Sequence, residues 1–188
     1  IAGNVYYEIG GRLFSLVDIE QCVLRASMSK SRLFFTGSPR FGPHDSRRGA
    51  ALSAPEPRLN FVLNNGTASA PRFIWILDPT DLHEQLDHAS LHYLNEQVAV
   101  DVARRVVLLP AVCRWYYKDF GRSNSEVLHF VLKLMSGERA ATLQALLHDG
   151  GGKIRLRFND AEFKFRGFEF AGTAHLDACP LVRREKTA

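Results

Sequence analysis

PRLNFVLNNGTASAPRF, residues 57–73, is the stretch of the chain in which an apolar run leads directly into a glycine turn. The apolar residues 61–63 predict a buried strand over residues 60–64, and Asn64–Gly66 predicts a tight turn, because Asn and Gly tolerate a positive φ. A strand that ends in a glycine turn is a common way to present a reactive side chain. This turn contains no strong nucleophile, general base or soft metal ligand. The segment therefore predicts a site-like loop with mild chemistry.

The residues that follow this segment alternate between helical and strand patterns. Apolar side chains recur at helical spacing from Leu82 to Tyr93, after a capping Thr80, and predict a helix that ends near Val98. Short strands are predicted at residues 98–100 and 106–109. The remaining predictions are a short helix from Pro110 to Gly121, a helix with a Ser123–Glu126 capping box that stops at Gly137, and a helix carrying Leu143, Leu146 and Leu147.

KIRLRFNDAEFKFR, residues 153–166, gives the strongest hairpin signal. Apolar and charged residues alternate on both sides of Asn159-Asp160, and a period of two is typical of strands with one buried face. The cations of this predicted hairpin lie on one face. They form a candidate basic surface made of Lys153, Arg155, Arg157, Lys164 and Arg166.

The residues that precede the quoted segment predict a hairpin, a helix and a long connection. Gly10-Gly11 separates two short strand patterns, and Ser15 with Asp18 predicts the start of an amphipathic helix over residues 16–26. Residues 27–59 have no sustained period and predict a long basic surface loop. Helices and strands interleave without a regular βαβ rhythm. We therefore predict an α+β fold, a single domain over residues 1–174 with mixed helices, short strands and β-hairpins around one core, and a polar tail over residues 175–188.

The composition is that of an ordinary globular protein. The chain has 188 residues, of which 46% are apolar and 23% charged, and its net charge is +4. No apolar run approaches the roughly 20 residues that span a bilayer, so no membrane span is expected. Three widely spaced cysteines without a CxxC pair favour reduced thiols and an intracellular location. The chain opens at Ile1 rather than Met, as a piece of a longer protein would.

Several segments of the chain resemble the domain of unknown function 547 family in order and spacing. They include YEIGGRLFSLVDIEQCVLR at residues 7–25, the stretch from residue 57 to residue 71, and VVLLPAVCRWYYKDFG at residues 106–121. The resemblance covers roughly residues 5–170. Relatives begin with a further tryptophan-rich segment, which this chain lacks, and they occur as parts of larger proteins. The resemblance thus implies a divergent member and a larger protein or assembly.

The resemblance also implies that this chain has lost reactive side chains. Relatives typically carry a His and two Cys at the positions of Asn60, Asn65 and Ala70, while Gly66 and Ser69 are kept. The loop therefore looks like a scaffold that has outlived its reactive site. We treat these five residues as a candidate degenerate-site loop.

A second candidate site lies at the predicted junction of a strand and a short helix. Trp115, Tyr116 and Asp119 form a candidate pocket there. No cofactor or metal is expected, because His83 and His88 are five residues apart whereas a zinc protease motif places its two histidines four apart. A weak metal face at Glu84, His88 and His92 competes with a solvated helix face, which we prefer.

The function predicted from these patterns is that of a non-catalytic protein-interaction or structural module. The degenerate loop supplies neither a thiolate nor a base, so the sequence favours a protein partner or larger assembly over an enzyme. Two alternatives stay open. One is a hydrolase or transferase of thiol-dependent ancestry with residual activity, and the other is nucleic-acid contact through the basic hairpin 153–166.

Overall fold

A computed structural model describes residues 5–30, 40–64 and 66–161 of the chain. Several predicted features fall outside these ranges. They are Asn65 in the degenerate-site loop, the second arm of the hairpin with Lys164 and Arg166, and the tail over residues 175–188.

The first two strands form the predicted N-terminal hairpin. Strand β1 (Tyr6–Ile9) pairs antiparallel with β2 (Arg12–Ser15), with Tyr6 opposite Ser15. Gly10 and Gly11 have φ angles of 57° and 72°, as the predicted turn requires. Within the hairpin only the end of β2 is buried, so β1 exposes its apolar side chains along its whole length.

The next segment is helical, as predicted, but it winds as a π-helix over Asp18–Leu24. The Asp18 amide donates to Ser15 Oγ at 3.1 Å and the Ser15 amide donates to Asp18 Oδ2 at 2.9 Å, which is the expected cap. The buried side of this segment includes Gln21, Cys22 and Arg25. The Arg25 side chain is thus buried, which the spacing of apolar residues in this segment does not predict.

The strand predicted over residues 60–64 is wrong. Residues Pro57–Phe61 form a 3-10 helix, and Glu56 accepts from the Arg58 amide at 3.2 Å. Proline lies near the start of this helix, where its missing N–H costs nothing. Leu59, Asn60 and Phe61 are buried by packing against the helix that follows, and a short apolar run of this kind fits a strand or a helix equally well.

Two arginines in the segment before this helix, Arg40 and Arg47, donate hydrogen bonds to the N-terminal elements. A second 3-10 helix covers Ser46–Ala50. Arg47 donates to Asp18 Oδ2 at 3.1 Å and to the Leu13 carbonyl at 3.0 Å, and Arg40 donates to the Gln21 carbonyl at 2.7 Å. These guanidinium groups therefore hold residues 40–50 against the N-terminal elements.

The second half of the described chain contains a three-stranded sheet and five helices. Helix α1 (Leu82–Gln97) precedes β3 (Ala99–Asp101) and β4 (Val106–Leu109). These are the two short strands that the sequence predicts, and they pair antiparallel. Strand β5 (Arg155–Phe158) pairs with β4 in parallel, with Leu156 opposite Val107. The sheet order is β3-β4-β5. The other helices are α2 (Ala111–Trp115), α3 (Tyr117–Phe120), α4 (Asn124–Lys133) and α5 (Gly137–His148).

Local signals in the sequence set the ends of these helices. The Glu126 amide donates to Ser123 Oγ at 3.2 Å, and Ser123 Oγ lies 3.3 Å from Glu126 Oε1, which places the capping box at the start of α4 as predicted. Pro110 directly precedes α2.

Two predicted helix ends are wrong. Helix α4 ends at Lys133, and Gly137 instead begins α5 with a φ of 75°. Helix α1 begins after Asp81 without a side-chain cap, because the Thr80 hydroxyl donates to Asp78.

A large hydrophobic cluster joins the sheet to α2, α4, α5 and the 3-10 helix at Pro57–Phe61, which is called the 3-10 helix from here on. Phe61 is fully buried, and its ring stacks on Phe120 and Tyr93 at centroid distances of 5.1 and 5.8 Å. A smaller cluster lies between the 3-10 helix and the first turns of α1. Mixed helices and short strands confirm the predicted α+β class. No helix within the described ranges is both long enough and apolar enough to cross a membrane.

Candidate functional site

One cleft brings together residues from both candidate sites. Its volume is about 320 Å³, and it lies between the π-helical segment, the loop after the 3-10 helix and α2. Asn60, Ser69 and Ala70 of the degenerate-site loop line it together with Trp115 and Tyr116 of the candidate pocket. The structure thus unites two groups of residues that are about 45 to 55 positions apart in the chain.

A buried ion pair lies behind the wall of this cleft. Arg25 Nη2 is 2.7 Å from Asp119 Oδ2, and both side chains are only 1% exposed. Asp119 Oδ1 accepts from the Ser29 amide at 2.9 Å, and Arg25 Nη2 also donates to the Ser29 carbonyl at 3.1 Å. Asp119, predicted as a pocket residue, is therefore a structural anchor beneath the cleft.

Asn60 completes this network from the cleft side. Its Oδ1 accepts from Arg25 Nη1, and its Nδ2 donates to Asp119 Oδ2 at 3.2 Å and to the Pro57 carbonyl at 3.0 Å. The amide thus uses its oxygen and its nitrogen on partners within the chain. In this arrangement it satisfies and orients the buried Arg25 and Asp119 side chains.

Tyr116 connects the ion pair to the rim of the cleft. The Arg25 guanidinium lies 3.8 Å above the centre of the Tyr116 ring, a cation–π contact in a buried setting. The Tyr116 hydroxyl donates to Glu20 Oε1 at 3.3 Å, and Gln21 Nε2 donates to the same oxygen at 2.6 Å. Among the described residues that line the cleft, Glu20 is the only one with a charged side chain.

The loop on the opposite wall is held by side chains that bond to its backbone. Asn64 Nδ2 donates to the Pro71 carbonyl at 2.8 Å and Asn64 Oδ1 accepts from the Gly66 amide at 2.7 Å. Gly66 has a φ of 76°, which the glycine permits without strain. Tyr93 donates its hydroxyl to the Ser69 carbonyl at 3.0 Å. Asn64 and Gly66, on either side of the undescribed residue 65, thus have the hydrogen bond and the positive φ that a turn requires.

The two cysteines of the described ranges are buried and form no disulfide. Burial raises the pKa of the Cys113 thiol, and burial followed by the charge of Asp18 raises the pKa of the Cys22 thiol. Neither residue lines the cleft. Since a thiolate is the reactive form, these two positions are poor nucleophiles near neutral pH.

Thiol labelling tests this conclusion. In a Cys179→Ser variant, we expect native protein at neutral pH to react with a maleimide at least ~100-fold more slowly than the same protein in urea, because both remaining thiols are buried and protonated. The rates are measured by mass spectrometry over time. Rapid labelling of native protein that Cys113→Ala abolishes would contradict it.

The candidate basic surface is partly described. Lys153, Arg155 and Arg157 are exposed, and they alternate along the chain with half-buried Ile154 and Leu156. Arg155 donates from its guanidinium to the Arg104 carbonyl at 3.1 Å. No group of three or more His, Cys, Asp or Glu side chains in residues 5–30, 40–64 and 66–161 is placed to hold a metal ion.

Sequence reasoning missed Glu20, which lines the cleft, and Arg25, which lies behind its wall. Arg25 and Glu20 were not among the predicted site residues, although both lie within a segment that carries the family resemblance. The spacing of Gln21 and Arg25 by four places two polar side chains on one helical face with Cys22. This interruption of an apolar face was the available signal for a buried polar network.

Comparison with known proteins gives one match. A family model described as "Protein of unknown function, DUF547" matches residues 1–94. This range includes the π-helical segment and the loop that line the cleft, whereas α2 and Asp119 lie beyond it. No curated protein and no solved structure matches the chain. The matched range covers 94 of the 188 residues, and the chain therefore belongs to the DUF547 family of proteins of unknown function.

Proposed function

We propose that this domain is a non-catalytic interaction module whose cleft binds an apolar segment of a protein partner. The observation that carries the proposal is the internal use of the polar groups around the cleft. Asn60, Asn64 and Tyr116 all bond to other groups of the chain. Catalysis needs a nucleophile or a base that is within reach of a substrate. Glu20 is the one carboxylate among the described lining residues, and its Oε1 accepts from Tyr116 and Gln21.

The walls of the cleft favour an apolar ligand. Leu16, Ile19 and Leu24 from the N-terminal segment face Leu63 and Pro71 of the loop, with Val112 and Trp115 of α2 between them. The Leu16 side chain is 46% exposed on the rim. Burying one leucine-sized side chain contributes about 1.5–3 kcal/mol, from which the cost of association is subtracted, so the segment needs at least two such residues.

Glu20 supplies the polar end of the cleft in this proposal. Its Oε1 accepts from Tyr116 and Gln21, and a carboxylate has further lone pairs that a backbone amide or a cation of the partner can use. The partner segment would thus combine apolar side chains with a donor at one end. Buried, unpaired thiols at Cys22 and Cys113 fit a reducing, intracellular compartment for this interaction.

Two exposed leucines provide a matched test. Leu16 lines the cleft, while Leu13 is 58% exposed on the first hairpin and lies outside it. Peptides selected from a phage-displayed random library on the wild-type chain should carry at least two apolar residues. Leu16→Glu should weaken their binding about tenfold or more, because a carboxylate replaces buried apolar area, and Leu13→Glu should leave it unchanged.

Fluorescence anisotropy of the labelled peptides gives these affinities, and urea unfolding of each variant checks that the fold is kept. Selected peptides whose affinity is the same for Leu16→Glu and wild type would contradict the proposed cleft function. Steady turnover of ester or thioester substrates that Ser69→Ala abolishes would instead favour a residual enzyme.

A further inference from the structure

A second groove, separate from the cleft, lies along α1. One wall is α1 and its cap from Asp81 to Leu91, and the other is residues 133–136 at the end of α4. Trp75 closes one side, and the open volume is about 710 Å³. We call this the acidic groove. No residue lines both the acidic groove and the cleft.

The acidic groove has a charge opposite to that of the whole chain. Asp81, Glu84 and Asp87 line it against a single lysine, Lys133, while the whole chain carries a net charge of +4. Asp87 pairs with Arg58 at 2.7 Å, whereas Asp81 and Glu84 are exposed to solvent. A local field of this sign attracts cations.

A buried amide in the wall points to a ligand that also accepts hydrogen bonds. Gln85 lines the acidic groove and is 7% exposed. Its Oε1 accepts from the Asp78 amide at 2.8 Å, which fixes the orientation of the amide. Its Nε2 is buried and has no hydrogen-bond partner in the described structure. A buried donor without a partner is costly, and a carbonyl oxygen is the type of group that it lacks.

Aromatic and apolar side chains complete the acidic groove. The Trp75 ring meets His88 edge to face at a centroid distance of 5.6 Å. Leu91, Leu134 and Met135 contribute apolar lining. The face of a tryptophan attracts Arg and Lys side chains, and the apolar lining favours a hydrophobic neighbour.

We propose that the acidic groove binds a basic peptide segment of a protein partner. An Arg or Lys of the segment lies between Trp75 and the carboxylates of Asp81 and Glu84. A backbone carbonyl next to it accepts from Gln85 Nε2, which a small shift of the side chain on binding brings to the surface of the acidic groove. An apolar neighbour packs on Leu134. The wall from Asp81 to Leu91 is about 15 Å long, which suits several residues of a peptide rather than a compact free cation.

The test measures binding of a fluorescein-labelled hexapeptide, Ala-Leu-Arg-Leu-Arg-Ala, to the whole chain by anisotropy. The double variant Asp81→Asn/Glu84→Gln should weaken binding about fivefold, because it removes two carboxylates from the acidic groove. The matched control Glu138→Gln/Asp160→Asn removes the same charge from exposed positions elsewhere and should change the affinity less than about 1.5-fold. Trp75→Leu should weaken it about threefold.

Three comparisons can overturn this proposal. The hexapeptide with Glu in place of both Arg residues should bind at least about tenfold more weakly, and equal binding would exclude a charge-selective groove. An equal loss in the control double variant would mean that only net charge matters. Competition by spermine at the same concentration as unlabelled hexapeptide would show that the acidic groove selects a free polyamine and not a peptide.

Discussion

Replacing Arg25 by methionine is expected to lower the free energy of unfolding by about 3–5 kcal/mol. The substitution leaves the Asp119 carboxylate buried, with the Ser29 amide and Asn60 Nδ2 as its remaining partners. It also leaves Asn60 Oδ1 without its donor and removes the cation from the Tyr116 ring. An uncompensated charge in the interior costs far more than the pair contributed when it was intact.

Urea unfolding followed by circular dichroism gives the size of this loss. The control is Arg104→Met, which removes an arginine that is 79% exposed and pairs with Asp101 at 3.5 Å. This control should change the stability by less than about 1 kcal/mol. If Arg25→Met does not fold, Arg25→Lys and the double variant Arg25→Met/Asp119→Leu extend the series. A loss for Arg25→Met as small as that of the control would show that the pair is not buried in solution.

The position of this pair links stability to the proposed binding function. Arg25 and Asp119 are 94 residues apart and join the π-helical segment to α3. The π-helical segment lines the cleft, α3 directly follows α2, which also lines it, and Asn60 of the third wall bonds to both members of the pair. A substitution at the pair should therefore reduce peptide binding through the shape of the cleft, in addition to its effect on unfolding.

Elements with strong local signals could be predicted from the sequence. The capping box at Ser123, the helix from Leu82 and the Gly10-Gly11 turn depend on neighbours within a few residues, and all three are where the pattern placed them. The alternation from Lys153 to Phe158 likewise yields a strand. In each case local chemistry and the tertiary environment favour the same conformation.

Features set by distant contacts could not be predicted in the same way. The run after Pro57 is a 3-10 helix because Phe61 packs between Tyr93 and Phe120, which lie far along the chain. Strand β5 pairs with β4 in parallel. The alternation of apolar and charged residues in β5 predicts a strand but not the strand it pairs with or the direction of pairing. Pairing of remote segments requires knowledge of the fold, since period and propensity describe one segment at a time.

The candidate site was predictable by its parts and not as a whole. The loop residues Asn60 and Ala70 and the aromatic residues Trp115 and Tyr116 were identified separately, and the fold places them on one cleft. The inward direction of Arg25 was not predictable, because charged residues are almost always exposed unless they are paired. Its partner Asp119 lies in another part of the sequence.

Phe61→Ala is expected to destabilise the domain by about 3–5 kcal/mol, a loss comparable with that of Arg25→Met. The ring is 0% exposed and stacks against both Tyr93 and Phe120, so truncation leaves a cavity that rigid aromatic neighbours cannot fill. Phe61→Leu should cost less, because it keeps part of the apolar volume. Ile74→Ala, at a position that is 58% exposed, should change stability by less than about 1 kcal/mol.

The combination of Phe61→Leu with Arg25→Lys tests whether the core and the polar network act together. Phe61 follows Asn60 in the 3-10 helix, and its ring stacks on Phe120, the residue after Asp119. A shift of this helix into the cavity would move Asn60 away from Arg25, so the two substitutions should not be independent. We expect their effects on the free energy of unfolding to differ from the sum by at least about 0.5 kcal/mol. Strict additivity in urea unfolding would mean that the core and the network beneath the cleft are energetically separate.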